Sequence, residues 1–328
     1  MSKSDPIEKA LDRIAELRHG DPSPRDTDEI RRFLTHKSNL VVSKAAKLVA
    51  EQRRSEFVPD LVSAFHRFMA NPAQLDKRCA ALTGITETLY EMDYCEPDIY
   101  LQSLRHVQME ASFGPPVDAA AALRGISAQA LLRTRYEDAM AAVLPLLVDR
   151  EPPARIGAVR ALAINGGTAG ALLLRLKVLT GDSEPEVIAE CFLGLLSNAP
   201  DESLCFVAGF MDADDQAISD AAVWALGQSR LPAAFEALKN KWERTIERDQ
   251  RRRILSAIAM LRLESAVELL CSIIYSENQT TASDALNALA TFKSNRNIRE
   301  AVATAVRKRC DNNLQSTFVR EFGETNPE

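Results

Sequence analysis

One short pattern recurs along the chain and limits what it can fold into. In "KAAKLVAE", "CAALTGIT", "AAALRGIS", "GAVRALAI", "ECFLGLLS", "AAVWALGQ", "SAIAMLRL" and "DALNALAT" a small residue is followed at helical spacing by a second small or apolar residue and then an aliphatic one. The small anchors are Ala45, Ala81, Ala122, Ala158, Cys191, Ala222, Ala257 and Ala285, spaced by 36, 41, 36, 33, 31, 35 and 28 residues. A loose period of this size belongs to stacked helical hairpins, where each unit buries its apolar face only against its neighbours.

Between the anchors lie segments with apolar residues three and four apart, among them "FVPDLVSAFHRFM", "DIYLQSLRHVQM", "AGALLLRLKVL", "AAFEALKNKWERT" and "IREAVATAVRKR". That spacing makes one apolar stripe on a helix. Breakers such as "REPP", "NGG", "GDSEP", "NAPD" and "RLP" separate the pairs, and no segment alternates with period two. The expected fold is therefore all-α, an α-solenoid of about eight hairpins. Neighbouring helices approach to ~8 Å only where Ala, Gly or Cys stands at the contact, so the anchors read as packing residues.

The segment "LPLLVDREPPARIGAVRALAINGG", residues 144 to 167, resembles the bacterial HEAT-repeat family, with Asp149 in the turn and Arg155 six residues on. The resemblance covers about residues 26 to 310. It implies a right-handed superhelix, an Asp–Arg ladder complete only at Asp149 and Arg155, and a concave surface lined by the anchor-bearing helices. Asp182 keeps the acid opposite Ile188, and Arg78 keeps the base without its acid. Capping helices over 1–36, a solenoid over 37–310 with a bend near 112–118 ("SFGPPVD"), and a tail over 311–328 complete the organisation. The first helix takes Asp5 as N-cap and Pro6 at its first position.

Such solenoids act chiefly as scaffolds, which makes the concave face the place to look for a partner. Two residues after each anchor the side chain points away from the small packing face. That series reads Lys47, Thr83, Arg124, Arg160, Leu193, Trp224, Ala259 and Asn287. Arg124, Arg160, Leu193 and Trp224 form the candidate partner-binding set, an apolar spot beside two cations, because Trp and Arg dominate interface energetics. A register shifted by one residue would instead place Trp224 in the core between repeats.

Charge gives a second candidate. The chain has 40 Lys plus Arg and 46 Asp plus Glu, for a net charge of −6. That balance opposes nucleic-acid or anionic-membrane binding unless basic residues cluster. From Val178 to Ser229 there are ten acids and no Lys or Arg. The acidic edge is Asp182, Glu184, Glu186, Asp212, Asp214 and Asp215; either it pairs with Arg251 to Arg253, or it attracts a basic partner.

Signatures of chemistry are absent from the sequence. The four histidines, His19, His36, His66 and His106, form no H-E-x-x-H or other His–Glu motif, unlike the di-iron HEAT hydroxylases. No phosphate-binding glycine loop or nucleophile elbow occurs. The six cysteines form no C-x-x-C pair, and Cys191, Cys205 and Cys271 read as buried, inert hydrophobes. No apolar run reaches the ~20 residues of a membrane span, and the N-terminus lacks a signal core.

These features predict a cytoplasmic, non-enzymatic protein-binding scaffold without cofactor or metal. Its partner is another protein, with no membrane partner and nucleic acid disfavoured. The family also includes bilin lyase subunits, whose resemblance implies that an apolar patch with arginines could hold a tetrapyrrole. HEAT-like DNA glycosylases imply a second alternative, with Trp224, Arg124, Arg160 and Asp220 in a groove.

Overall fold

The computed structural model describes residues 6–18, 24–134 and 136–323. Among them the chain is helical almost throughout, and it divides into two compact units, Met1–Gly170 and Ala171–Glu328. Each is a stack of helical hairpins. The Asp5 cap, His19 and the last residues of the tail lie outside the described residues.

In the first unit, helices Pro6–Glu16 and Pro24–Leu34 precede three helices that carry anchors, Asn39–Glu51, Ala80–Glu91 and Ala121–Arg133, and a fourth, Pro152–Asn165. The four pack in sequence order, each against the next. Between them run Val58–Met69, Pro97–Leu104 and Ala139–Val143, the last continued by the 3-10 turn Leu144–Val148. Phe57, Phe65, Phe68 and Tyr100 are fully enclosed and supply most of the aromatic core.

The second unit repeats the scheme more regularly. Pro185–Asn198, Gln216–Ser229, Arg248–Leu261 and Gln279–Ala290 form the anchor layer, backed by Pro200–Gly209, Pro232–Arg244, Glu264–Ser276 and Arg296–Arg309. Asn312–Phe322 ends it against Gln279–Ala290. Proline opens several of these helices because its missing N–H is one that no helix start can pair.

The anchors are buried, Ala45, Ala81, Ala158, Cys191, Ala222 and Ala285 completely. Ala122 is the exception and is exposed. In its helix the close approach falls on Gly125: a Cβ built on Gly157 of the next helix would lie 2.1 Å from the Gly125 Cα. Gly227 meets Ala257 in the same manner, its Cβ position 2.6 Å from that carbonyl oxygen.

Two other expectations need correction. The segment "DIYLQSLRHVQM" does not stay helical beyond Leu104, and Met109–Glu110 pairs antiparallel with Val117–Asp118 in a small hairpin. The prolines at 115 and 116 cannot continue a helix, and Gln108 and Glu110 are engaged by the neighbouring turn. Cys205 is exposed and Cys271 half-buried, whereas Cys191 is buried as expected. Ser203 and Val207 face inward on the helix of Cys205, and a position between them faces out.

Candidate functional site

In the first unit the turns that open the anchor helices are laced together by side chains. Asp76 is wholly buried and accepts N–H bonds from Ala81 and Leu82, both at 2.8 Å, and from Asn39 Nδ2 at 2.9 Å. Gln108 Nε2 donates to the Asp76 carbonyl at 2.7 Å, and the Gln108 N–H donates to Asp118 Oδ1 at 3.0 Å. The lacing ends on Arg124. Its Nη1 donates to Asp118 Oδ2 at 2.7 Å and to the His106 carbonyl at 2.9 Å, and its Nε and Nη2 donate to Asp149 at 2.9 Å each.

This corrects the role of Arg124. It is 3% exposed, and each of its nitrogens is engaged, so it offers no free cation to a partner. Burial alone would lower its tendency to hold a proton, but Asp149 and Asp118 outweigh burial and keep it charged. For Asp118 burial pushes the carboxyl up; the N–H groups of Gln108 and Ala120 and the Arg124 guanidinium overcome it and hold the group below the usual range.

The ladder is also more extensive than its one complete pair suggests. Asp118 and Arg124 are six residues apart, the same offset as Asp149 and Arg155, and that spacing was visible in the sequence. Arg155 Nη1 donates to the main-chain oxygens of Asp149 and Arg150, while the Asp149 carboxylate serves Arg124 of the preceding turn. Arg124 therefore closes on Asp118 of its own repeat and also reaches Asp149 of the next hairpin.

Arg160 is exposed on helix Pro152–Asn165 of the first unit. Leu193 and Trp224 belong to the second unit, at corresponding positions of two helices that pack side by side. Leu193 is half-buried, and Trp224 is 40% exposed. Cys191, Ala222 and Ala225 beneath them are fully buried, so the ring stands on the outward face of the anchor layer. The other tryptophan, Trp242, is 6% exposed and lies under the Arg251 guanidinium at 4.3 Å.

The acidic residues separate into two groups. Asp182 pairs with Lys177 at 2.8 Å, and Asp212 takes Lys241 at 2.8 Å and Arg244 at 2.6 Å. The Lys241 bond, then Arg244, holds the Asp212 carboxyl below its ordinary value. Asp215 caps its helix by accepting the Ala217 N–H. Glu184, Glu186 and Asp214 are exposed and make no ion pair among the described residues. Of the arginines proposed to neutralise the edge, Arg253 reaches Asp220 at 3.4 Å, Arg252 pairs with Asp249, and Arg251 donates to main-chain oxygens of Trp242 and Thr245.

Among the described residues no group of three His, Cys, Asp or Glu side chains is placed to hold a metal ion, and no helix is long and apolar enough to cross a membrane. His36 Nδ1 accepts the Ser38 N–H and His106 Nε2 contacts Gln108, both structural roles.

The fold and this arrangement define an all-α helical-repeat protein in which, among the described residues, Trp224 is the exposed aromatic of the anchor layer. No protein-family model matches the chain, and no curated protein matches it. Among solved structures, the complex of CpcE and CpcF of phycocyanin lyase from Nostoc sp. PCC7120 is similar over 75% of this chain and 94% of that chain, at 16% identity and a TM-score of 0.38.

Proposed function

We propose that this chain is a non-enzymatic scaffold of the HEAT-repeat type that binds another protein on the outward face of its anchor layer, with Trp224 and Leu193 as the contact residues. The observation that carries this reading is the exposed indole. A tryptophan buries about 200 Å² when covered, and leaving it wet forgoes stabilisation that Trp242 obtains in the same unit. Tryptophan is among the residue types enriched at interface hot spots. Glu184, Glu186 and Asp214, which carry charge without ion pairs, form the secondary attraction for a basic partner.

The tetrapyrrole alternative keeps the apolar pair Leu193 and Trp224 but loses Arg124 to the ladder. A visible absorbance change on mixing with free bilin would favour it over protein binding. The glycosylase alternative loses Arg124 in the same way, and its acid, Asp220, is engaged by Arg253 and Gln216.

The test is quantitative capture from the native extract on immobilised wild type and Trp224→Ala, with melting curves confirming equal folding. Loss of a defined subset of proteins on the variant supports the reading. Equal recovery of every protein removes Trp224 from the site.

A further inference from the structure

The turn before helix Ala80–Glu91 is built unlike the other laddered turns. Asp118, Asp149 and Asp182 each accept the N–H two residues on, from Ala120, Glu151 and Glu184. Asp76 instead accepts the N–H groups of Ala81 and Leu82, five and six residues on. Lys77, Arg78 and Cys79 are therefore looped out between the acid and the amides it caps.

The loop strains the backbone. Arg78 has φ 61° and ψ 17°, and Cys79 has φ 52° and ψ 32°, so two consecutive residues that carry side chains are left-handed. Arg53, Asp93, Arg230, Arg262 and Cys310 also have positive φ, but each follows the end of a helix, where one left-handed residue is an ordinary stop. A left-handed pair at a helix start is strain, and strain persists only where the surroundings hold it.

The hairpin of residues 109–118 supplies the hold. Glu110 Oε1 accepts the Arg78 N–H at 2.6 Å and Gln108 Nε2 at 2.6 Å, and Nε2 also donates to the Asp76 carbonyl at 2.7 Å. On the other side Asn39 Nδ2 binds the Asp76 carboxylate and the Lys77 carbonyl, which fixes the start of the turn and leaves Arg78 and Cys79 to Glu110. Val107, Met109, Phe113 and Val117 are all more than half exposed, so the hairpin buries little apolar surface and is attached by polar bonds. Its root, the N–H bonds of Gln108 and Ala120 to Asp118, uses no atom of the strained turn. Glu110 can let go while the root stays bound.

We infer that the hairpin is a latch on this turn: the Glu110 carboxylate keeps Arg78 and Cys79 left-handed, and its release lets the turn relax locally and uncovers the Cys79 thiol while the helices of the unit stay packed. In the closed turn Cys79 is completely buried, and burial first, then Asp76, push its thiol up to about 12. Only the opened turn presents a thiol that ionises in mild alkali. The latch places a modifiable cysteine under the control of an exposed arm.

The test is iodoacetamide labelling of the full-length chain, read at Cys79 by mass spectrometry, with exposed Cys95 reporting the reagent. Rates are followed in rising urea below the unfolding midpoint. In the wild type Cys79 labelling follows the steep urea dependence of unfolding. In Glu110→Ala it is faster by roughly tenfold or more, the loss expected for bonds to a charged acceptor, and nearly independent of urea, as local opening is. Arg78→Gly added to Glu110→Ala slows labelling again, because glycine adopts positive φ without the steric penalty.

Unchanged Cys79 labelling in Glu110→Ala overturns the inference. So does faster labelling that keeps the urea dependence of unfolding, or a variant that no longer melts cooperatively, since the hairpin would then support the whole unit. A double variant that labels as fast as Glu110→Ala overturns it too, by removing strain as the driving force.

Discussion

Arg124 and Asp149, twenty-five residues apart, are joined by two parallel N–H···O bonds of 2.9 Å, from Nε to Oδ2 and from Nη2 to Oδ1. The fork-to-carboxylate geometry fixes distance and angle together. It therefore holds the turn before Pro152–Asn165 in register with helix Ala121–Arg133, and the remaining Nη1 ties both to Asp118. The Arg124 side chain is 4% exposed, which makes its loss costly in a way a surface pair is not.

Arg124→Ala should accordingly destabilise the first unit by ~3 to 5 kcal/mol, the usual effect of leaving a buried partner uncompensated. Arg124→Lys should recover little, because an ammonium cannot serve two carboxylates and a carbonyl in that planar geometry. Urea denaturation followed by circular dichroism measures both.

Stability should fall in acid through Asp118. Its carboxyl is held below the ordinary value in the folded chain, so the folded state favours the ionised form. That contribution is fully present above the unfolded carboxylate value of about 3.9 and is lost as pH drops through the lower folded value. The stability gap between wild type and Asp118→Asn should be wide at neutral pH and narrow once pH falls below that range; a constant gap would assign the effect to packing alone.

Gly157→Ala should be more disruptive than its one added methyl suggests. The new Cβ would stand 2.1 Å from the Gly125 Cα and 2.5 Å from its carbonyl oxygen, both backbone atoms that move only with their helix. A loss of ~1 to 3 kcal/mol is expected, with the ladder strained as the helices separate. Gly209→Ala, where the added Cβ meets nothing within 4 Å, is the matched control and should be neutral or slightly stabilising.

The two tryptophans should behave oppositely. Trp242→Ala removes a buried ring and should cost ~3 to 5 kcal/mol, whereas Trp224→Ala should leave the melting temperature nearly unchanged. In Trp242→Phe the remaining indole should emit at long wavelength and be quenched readily by acrylamide.

Thiol labelling distinguishes the cysteines without mutation. Burial pushes Cys79 and Cys191 up to about 12, with Asp76 adding to the effect at Cys79, and pushes Cys271 up to about 11. At mildly alkaline pH Cys95, Cys205 and Cys310, which are exposed, should react in the native state, and the other three only on unfolding. Mass spectrometry of the labelled chain reads this directly.

Repetition and helical spacing were sufficient to establish an all-α stack of hairpins and most of its anchors, because a helix that buries one face must show small and aliphatic residues at fixed intervals. Trp224 could be placed by counting from Ala222, since both sit on one helix with a fixed angular offset. Arg124 shows where that counting ends. Its offset from Ala122 matched that of Trp224 from Ala222, yet Ala122 is not the contact residue and Arg124 lies inward between Asp118 and Asp149. Which side chain a rung engages depends on the next hairpin, and only packing supplies that neighbour. The same holds for the hairpin at Phe113 and for Leu172, Leu176 and Leu179, exposed on helix Gly167–Thr180. In sequence both look like ordinary apolar residues near a breaker or on an amphipathic helix, and exposure is a property of what the tertiary structure leaves uncovered.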